Sequence, residues 1–236
     1  MIGEYKSERD FIMKDSNAIN FSRRNFIKSS AGVLTGGIIL GETISPTVAA
    51  ADTPAMGAWP YAILDPVAVA QSAWSPPGCE GCGGKSFGAI VYGLRSALGP
   101  GSVWEQIPIN LGSFHNGGGP LSQTCGALIA PYLVMSFVGA GRALGKQFYQ
   151  WYSESAFPST EWDNYIPASG PLPSQNLVRT VSNSTLCSMS RGTWQKEYNR
   201  LYGESATEPR NDRCTKLVCD CVKKAVEMLN TWKAGK

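Results

Sequence analysis

Apolar residues recur at helical spacing along much of the chain, and no stretch shows a convincing alternation of apolar and polar residues. The spacing predicts helices over residues 82–98, 121–138, 140–153 and 190–202. Gly99 and Pro100 would end the first helix, and Pro131 would kink the second. A last helix is expected to begin at Asn211 or Asp212, because either side chain can accept hydrogen bonds from the first backbone amides.

The last helix has an apolar face on which cysteines alternate with ordinary core residues. Its members recur at positions that share one side of a helix: Cys214, Val218, Cys221, Ala225 and Met228. Cys219 lies about 140° round the helix from Cys214, at roughly 100° per residue. Two thiols are therefore expected on the buried face, and the third on another side.

The rest of the chain predicts extended and irregular segments. Five prolines between residues 52 and 78 indicate an arm that wraps the core, with these residues packing down: Trp59, Tyr61, Ile63, Leu64 and Val67. Residues 156–176 predict a long loop, and residues 176–182 a short helix. The expected fold class is mainly α, a small helical bundle with an extended Pro-rich N-terminal arm and long loops.

The first fifty residues are typical of an export signal. Residues 22–28, Ser-Arg-Arg-Asn-Phe-Ile-Lys, closely resemble the S-R-R-x-F-L-K pattern of twin-arginine signals, and a short apolar run follows over residues 31–40. A membrane span needs roughly 20 residues, so an uncleaved anchor is the weaker alternative. We expect residues 1–50 to be a signal peptide for the twin-arginine (Tat) export machinery. Residues 51–236 would then be one helical domain in the periplasm or elsewhere outside the cytoplasmic membrane.

Composition excludes several classes of protein. Hydrophobic residues make up 43% and charged residues 17% of the 236, too apolar for a disordered chain and too polar for an integral membrane protein. A formal charge of +3 gives no reason to expect nucleic acid as a partner. The single histidine excludes sites that need two His ligands from one subunit. No Ser/His/Asp motif is present, so an electron carrier is favoured over a hydrolase or transferase.

The seven cysteines carry most of the chemical information. Their odd number excludes a complete disulfide framework within one chain. Four lie at separate places near predicted helix ends: Cys82, Cys125, Cys187 and Cys214. If the helix ends converge, four thiolates are what an iron–sulfur cluster or a four-cysteine zinc site needs. Disulfides with one free thiol, or unreactive core cysteines, are the alternatives.

The other three cysteines, Cys79, Cys219 and Cys221, are weaker candidate metal ligands. Cys79 and Cys82 have the C-x-x-C spacing, but Gly83 follows where haem c attachment needs His, which argues against haem c. Cys79 with Cys82, and Cys219 with Cys221, could instead be disulfide-exchanging pairs. The only histidine, His115, is a further candidate ligand, although a polar loop residue beside three glycines is its commoner role.

The order of the four cysteines resembles that of the C_GCAxxG_C_C redox family. One family cysteine precedes a GCAxxG element, one lies inside it, and two follow. In this chain Thr124, Gly126 and Ile129 replace the Gly, Ala and Gly of that element. The chain is more specifically similar to the split-Soret cytochromes c in segments that keep the same order: residues 117–119, 124–127, 150–152, 157–158, 182–187 and 213–217.

The resemblance implies a homodimer with a cysteine cluster that holds an iron–sulfur centre. It also implies two haems per subunit, for which this chain lacks C-x-x-C-H motifs and further histidines. The expected function is an exported redox protein whose four cysteines bind the cluster and pass electrons to a partner that the sequence does not identify. The alternatives are a metal-free thiol–disulfide protein, a haem protein with atypical ligation, and a module held together by zinc.

Overall fold

Helices dominate the computed structural model, which describes residues 59–165, 177–204 and 209–235. The α-helices there are α1 Pro66–Ser72, α2 Gly81–Leu98, α3 Gly126–Phe137, α4 Gly141–Glu154, α5 Cys187–Tyr202 and α6 Arg210–Ala234. Two 3-10 helices, Val103–Gln106 and Leu111–Gly118, lie between α2 and α3. Strands β1 Ala156–Phe157 and β2 Thr180–Val181 pair antiparallel. The mainly α fold class predicted from the apolar spacing is therefore confirmed.

All described residues belong to one compact unit that spans residues 52–236. The predicted signal peptide and its boundary after residue 50 lie outside the described residues and stay predictions. No helix in the described ranges combines the length and the apolar character that crossing a bilayer requires.

The core lies where α2, α3 and α6 pack against one another. Their facing side chains are almost wholly removed from solvent: Phe87, Ile90 and Leu94 on α2, Leu128 and Val134 on α3, and Leu217, Val222 and Leu229 on α6. Each such side chain contributes roughly 1.5–3 kcal/mol by leaving water. α4 packs on α3, and α1 packs on α6. Packing in this core thus fixes the positions of the N-terminal ends of α2, α3 and α6.

The Pro-rich N-terminal arm packs on the core and contains the short helix α1, which was not predicted from the sequence. Pro66 stands in the first turn of α1, where its missing N–H costs nothing, and the Asp65 carboxylate accepts from the amides of Val67 and Ala68 at 2.9 and 3.1 Å. Tyr61 and Leu64 are buried as expected, but Ile63 and Val67 are exposed. Those two side chains were wrongly expected to pack down.

The segment after α4 turns back through the small sheet, which replaces the short helix predicted over residues 176–182. Phe157 is buried there and packs against Trp151 and Tyr152 of α4. Asp220 of α6 fixes the following loop by accepting from the Ser159 amide at 2.9 Å and the Trp162 indole at 2.8 Å.

The last helix starts at Arg210 rather than after Asn211 or Asp212, and Pro209 occupies the cap position. Proline has no N–H to leave unpaired, so it is well suited to a helix start. Of the predicted apolar face, Val218, Cys221 and Ala225 are buried, whereas Cys214 and Met228 are half-buried. Cys219, which was expected on another side of the helix, is fully buried as well.

Candidate functional site

Four cysteines from distant parts of the chain line one cavity of about 170 Å³, which we call the cysteine cavity. They are Cys82, Cys125, Cys187 and Cys214, the four that the sequence analysis singled out. No three Cys, His, Asp or Glu side chains among the described residues are grouped tightly enough to hold a single metal ion.

Each of these cysteines lies at or close to a helix N-terminus. Cys82 is the second residue of α2, Cys125 directly precedes α3, Cys187 opens α5, and Cys214 is the fifth residue of α6. Free backbone N–H groups and the positive end of the helix dipole stabilise negative charge at such positions. These helix ends therefore direct positive electrostatic potential toward thiolates or an anionic group that they hold.

A short backbone bridge brings Cys125 and Cys187 together. Thr124 pairs antiparallel with Leu186, just before each cysteine. The Cys125 amide donates to the Thr185 carbonyl at 2.9 Å, and the Cys187 amide donates to the Gln123 carbonyl at 2.6 Å. Residues 121–125 were predicted to begin the α3 helix, but residues 121–122 form a turn and Thr124 pairs with Leu186 instead. This pairing joins the backbone segments that carry Cys125 and Cys187.

Two glycines permit the close approach of these segments. A methyl group at Gly126 would lie 2.7 Å from the Cys82 sulfur and 2.5 Å from the His115 carbonyl. At Gly118, which has a φ of +81°, it would lie 2.6 Å from Cys187 Cβ. Real Cβ atoms do not approach other atoms this closely, so a side chain at either position would push a cysteine out of place.

The Cys82 sulfur is surrounded by donors. The Gly117 amide donates to it at 3.3 Å, and the amides of Gly83 and Gly126 also face it. The pKa of Cys82 is lowered to about 6, first by a hydrogen bond with the Cys125 side chain and further by these amides, against the opposing effect of burial. Cys82 is consequently a thiolate at neutral pH.

Asn116 positions Cys82, a role that was not predicted from the sequence. Its Oδ1 accepts from the amides of Gly83 and Gly84 at 3.0 and 3.2 Å, while its Nδ2 donates to the Glu80 carbonyl at 2.9 Å. Glu80, the residue at the cap position of α2, makes no such bond itself. The cap therefore comes from a distant loop. An Asn beside a glycine run was its only sequence signal.

The pKa values of the other thiols that line the cavity are raised instead of lowered. The pKa of Cys125 is raised well above its usual value by the hydrogen bond with Cys82 and by full burial. Burial also raises the pKa of Cys187, as do the neighbouring Cys82 and Cys214, while Arg213 and Arg191 oppose the rise. Gathering four negative sulfur atoms thus costs free energy unless positive charge compensates them.

Three arginines supply positive charge to the cysteine cavity: Arg191, Arg210 and Arg213. Arg213 is only 2% exposed. Its Nη2 donates to the Ser190 hydroxyl at 2.7 Å, and its Nη1 approaches the Cys214 sulfur at 3.8 Å. The Nε atoms of Arg213 and Arg191 are buried without a partner. Unpaired buried donors are costly, so both are available to a bound acceptor.

The remaining cysteines do not line this cavity. The Cys79 thiol donates to the Pro77 and Ile109 carbonyls at 3.5 and 3.7 Å, and burial raises its pKa. Cys219 and Cys221 are fully buried on α6, with pKa values that burial raises. Two positions apart on one helix, they lie on roughly opposite sides. The structure therefore does not present Cys219 and Cys221 as an exchanging pair, and it directs the Cys79 thiol to backbone carbonyls.

His115 lies in the 3-10 helix Leu111–Gly118 and contacts the site through its backbone. Its ring packs edge-on against Phe114 at 5.3 Å, and its Nε2 is buried without a hydrogen-bond partner. The residue does not line the cysteine cavity, although its carbonyl faces Gly126. Its predicted role as a ligand stays a prediction.

A shallower depression of about 300 Å³ adjoins the cysteine cavity and shares Gly81, Cys82, Asn211 and Cys214 with it. Lys85 and Thr215 also line this depression. Cys82 and Cys214 are only half-buried, so the site approaches the protein surface on this side.

Comparison with known proteins identifies one kind of relative. The split-Soret cytochrome c of Desulfovibrio desulfuricans is 27% identical over 230 residues, which cover 90% of this chain and 79% of the relative. A solved structure of the split-Soret cytochrome c from strain ATCC 27774, described as having a novel iron centre, matches with a TM-score of 0.59. That match is 25% identical and covers 75% of this chain and 72% of the other. The chain is homologous to split-Soret cytochrome c.

This homology confirms the more specific of the two resemblances drawn from the sequence. No family model matches the chain, and membership of the C_GCAxxG_C_C family stays a prediction. The comparisons do not test which residues bind a cofactor.

Proposed function

We propose that this protein is an exported redox carrier in which Cys82, Cys125, Cys187 and Cys214 hold an iron–sulfur cluster. Its homology to a cytochrome supports a redox role, and the relative's solved structure is described as containing an iron centre. The observation that carries the proposal is the convergence of these four thiols on one cavity.

The donor set fits such a group. Iron–sulfur clusters are held by Cys thiolates, and hydrogen bonds to their sulfur atoms help to set their reduction potentials. Cys82 receives amide hydrogen bonds and is ionised at neutral pH. The Nε atoms of Arg191 and Arg213 are buried without a hydrogen-bond acceptor. The sulfur atoms of a cluster would supply acceptors.

The size of the cavity that the cysteines line favours a group of several atoms over a single zinc ion. Tetrahedral zinc draws four sulfur atoms to about 2.3 Å from one centre. Here the cysteines surround about 170 Å³, several times the roughly 30 Å³ that one water occupies in the liquid. A zinc-held module is therefore the less favoured alternative.

Different residues of this chain would bind the cluster, balance its charge and give a redox partner access to it. A bound cluster would supply one-electron chemistry. The four thiolates would hold it, the glycine amides would stabilise negative charge on Cys82, and Arg213 would balance charge beside Cys214. The depression lined by Lys85 and Thr215 would let a redox partner approach the Cys82 and Cys214 side.

Purification without oxygen, followed by iron and sulfide analysis and an optical spectrum, tests this proposal. We expect bound iron and sulfide that are lost in Cys82→Ser and Cys187→Ser but retained in the control Cys79→Ser, which alters a buried thiol outside the cavity. Colourless protein without iron, even after anaerobic reconstitution, would overturn it. A haem spectrum would instead support the haem alternative, and stoichiometric zinc the structural module.

A metal-free thiol–disulfide function is a second candidate because the pKa of Cys82 is lowered to about 6, chiefly by the neighbouring Cys125 side chain. This pair replaces the two pairs considered from the sequence. Mass spectrometry after oxidation by a small disulfide and alkylation would detect a bond between Cys82 and Cys125. A chain that forms no such bond at any redox poise would exclude this function.

Export through the twin-arginine machinery is part of the proposal and rests on residues 22–28. Replacing Arg23 and Arg24 by Lys should leave the protein in the cytoplasm, while the wild type appears outside the inner membrane. Equal amounts outside for both proteins would exclude this route. A homodimer, implied by the resemblance, is proposed as well, and light scattering of the loaded protein measures it.

A further inference from the structure

The side of the cysteine cavity that α5 and α6 form is strongly basic. Arg191 lies on α5, and Arg210 and Arg213 lie on α6. No Asp or Glu side chain is among the described residues that line the cavity. Cys187 and Arg191 are four positions apart on one helix, as are Arg210 and Cys214 on the other, so each pair shares a helix face. The arginines therefore line the same space as the thiols.

Arg213 is held firmly in this wall, yet one of its donors has no acceptor. Only 2% of the residue is exposed. Its Nη2 donates to the Ser190 carbonyl and hydroxyl at 3.2 and 2.7 Å, and its guanidinium carbon lies 5.9 Å from the centre of the Trp194 ring. Its Nε is nevertheless buried without a hydrogen-bond partner, as is the Nε of Arg191. Two donors from two helices are thus left for an acceptor that the described residues do not provide.

The thiols of the metal-free cavity do not balance the positive charge of the arginines. The neighbouring Cys82 side chain and full burial raise the pKa of Cys125, and burial raises the pKa of Cys187. Both thiols are therefore neutral at neutral pH. At most two of the four thiols can then be negative, against three guanidinium groups. The metal-free cavity consequently has a net positive charge, which attracts anions.

A small oxyanion has the chemistry that this wall recognises. A guanidinium donates to two oxygen atoms at once, and such charge-assisted bonds are about twice as strong as neutral ones. The residues at the cap positions of α5 and α6 are Leu186 and Pro209, neither of which has a side-chain acceptor for the first backbone amides. The positive ends of both helix dipoles would stabilise an anion there. The cavity of about 170 Å³ leaves room for it, since one water occupies roughly 30 Å³.

We propose that Arg191, Arg210 and Arg213 form a binding site for a small inorganic oxyanion of the phosphate or sulfate class, which occupies the cysteine cavity when the cysteines hold no other group. The oxyanion accepts from the two unpaired Nε atoms, and the exposed Arg210 meets it at the entrance. A bound cluster would use the same donors and displace the anion. This displacement is the one step that rests on the proposed function.

The first test is a calorimetric titration of inorganic phosphate into the reduced, metal-free full chain at constant ionic strength. We expect saturable binding of one phosphate per chain, which sulfate competes away. Arg191→Gln and Arg210→Gln should each weaken binding at least about tenfold, because each removes charge-assisted hydrogen bonds. Arg210 is exposed, so its variant keeps the test valid if a substitution of buried Arg213 prevents folding.

Arg200→Gln is the matched control for this titration. Arg200 lies on α5 like Arg191 and carries the same charge, but it pairs with Glu197 and does not line the cavity. Its substitution should leave the phosphate affinity unchanged. The absence of saturable binding, or equal weakening by Arg200→Gln and Arg191→Gln, would overturn the proposal, since the second result would indicate attraction to net charge alone.

A second measurement locates the anion. In protein with ¹⁵N-labelled arginine, the Nε–H resonances of Arg191 and Arg213, assigned with the variants, should move when phosphate is added. The resonance of Arg200 should stay in place. Phosphate that binds without moving either of the first two resonances would lie elsewhere and would overturn the site.

Repeating the titration with iron-loaded protein separates failure of the anion site from failure of the proposed function. The loaded protein should bind phosphate at least about tenfold more weakly than the metal-free protein, because the cluster takes the same donors. Equal affinity in the two forms would overturn the displacement. If the protein binds no iron under any condition while the arginine resonances still respond to phosphate, the cluster function fails and the anion site is supported.

Discussion

At the scale of single residues, Cys82 is the group on which the local chemistry of the site concentrates. Three backbone amides and the Cys125 side chain face its sulfur, whereas Cys125 itself is fully buried and protonated. This asymmetry makes Cys82 the first thiolate available to a metal or an electrophile.

The reactivity of Cys82 should follow its lowered pKa. In metal-free protein, alkylation of Cys82 by iodoacetamide should rise with pH about a midpoint near 6, because only the thiolate reacts and it forms above that pH. Cys125→Ala should move the midpoint upward, since the bond with Cys125 is the largest cause of the shift. Mass spectrometry of the Cys82 peptide gives the rates. A midpoint near the ordinary value of about 8.5 would contradict the geometry.

Gly126 offers a second test at this scale, because its neighbours predict the sign of the effect. Gly126→Ala should destabilise the protein, since the new methyl group would meet the Cys82 sulfur at 2.7 Å. Gly192→Ala, on α5 with open space around it, should stabilise the protein by about 0.5–1 kcal/mol. Thermal unfolding of both variants measures the difference. The same sign for both would show that the close approach at Gly126 is not limiting.

At the scale of elements, the site depends on how the N-termini of α2 and α5 are capped. α2 receives its cap from Asn116, and α5 begins where the backbone of residues 122–123 accepts the amides of Cys187 and Ser188. These contacts join segments that are distant in the chain. They fix the helix ends on which the thiols stand.

Removing the Asn116 cap should affect both stability and the site. Asn116→Ala should cost about 1 kcal/mol of unfolding free energy, in line with lost caps elsewhere, and should slow alkylation of Cys82 at neutral pH. Asp65→Ala removes the cap of α1, which lies outside the cavity lining, and should cost a similar amount without changing Cys82. Denaturant unfolding and alkylation rates are read together. Equal effects of both variants on Cys82 would show that Asn116 does not position it.

What the sequence could predict follows from how local each feature is. Helical spacing predicts α2, α4 and α6 closely, since apolar periodicity is a property of neighbouring residues. The strand Thr180–Val181 was mistaken for part of a short helix, because two residues carry no period and gain their structure from pairing with β1. The cap from Asn116 could not be predicted either, because it spans 33 positions and depends on the folded loop.

The candidate site shows the same difference between features that depend on nearby residues and features that depend on the tertiary fold. The grouping of the four cysteines was inferred from their order and their nearness to helix ends, and the structure brings them together around one cavity. The buried arginine and the Tyr152–Ser190 contact had no sequence pattern, because they join three helices that only the tertiary fold makes neighbours. Charge compensation inside a bundle is therefore visible only once the helices are placed.

At the scale of the whole molecule, α5 is attached to the bundle differently from the other helices. Only Ser190 and Trp194 are buried along its length, and Trp194 belongs to a small cluster with Leu177 and Val178, apart from the main core. The main core instead joins α2, α3 and α6 through many buried apolar side chains. Cys187 places the N-terminus of α5 at the cysteine cavity, so a bound group would tie this helix to the core.

Loading the site should therefore stabilise α5 more than the rest of the molecule. A ligand that binds only the folded state raises stability, and here the added tie acts where apolar contacts are fewest. We expect the loaded protein to unfold at a higher temperature, and its α5 amides to exchange with solvent more slowly than in metal-free protein. The amides of α2 between Phe87 and Leu94 should change little, because the core already protects them. Hydrogen exchange read by mass spectrometry on both forms makes the comparison, with Cys79→Ser as a loaded control. Equal slowing of exchange in α2 and α5 would mean that a group bound in the cysteine cavity stabilises the whole bundle. Selective slowing in α5 would show that the four thiols connect a weakly packed helix to a core that is stable without the bound group.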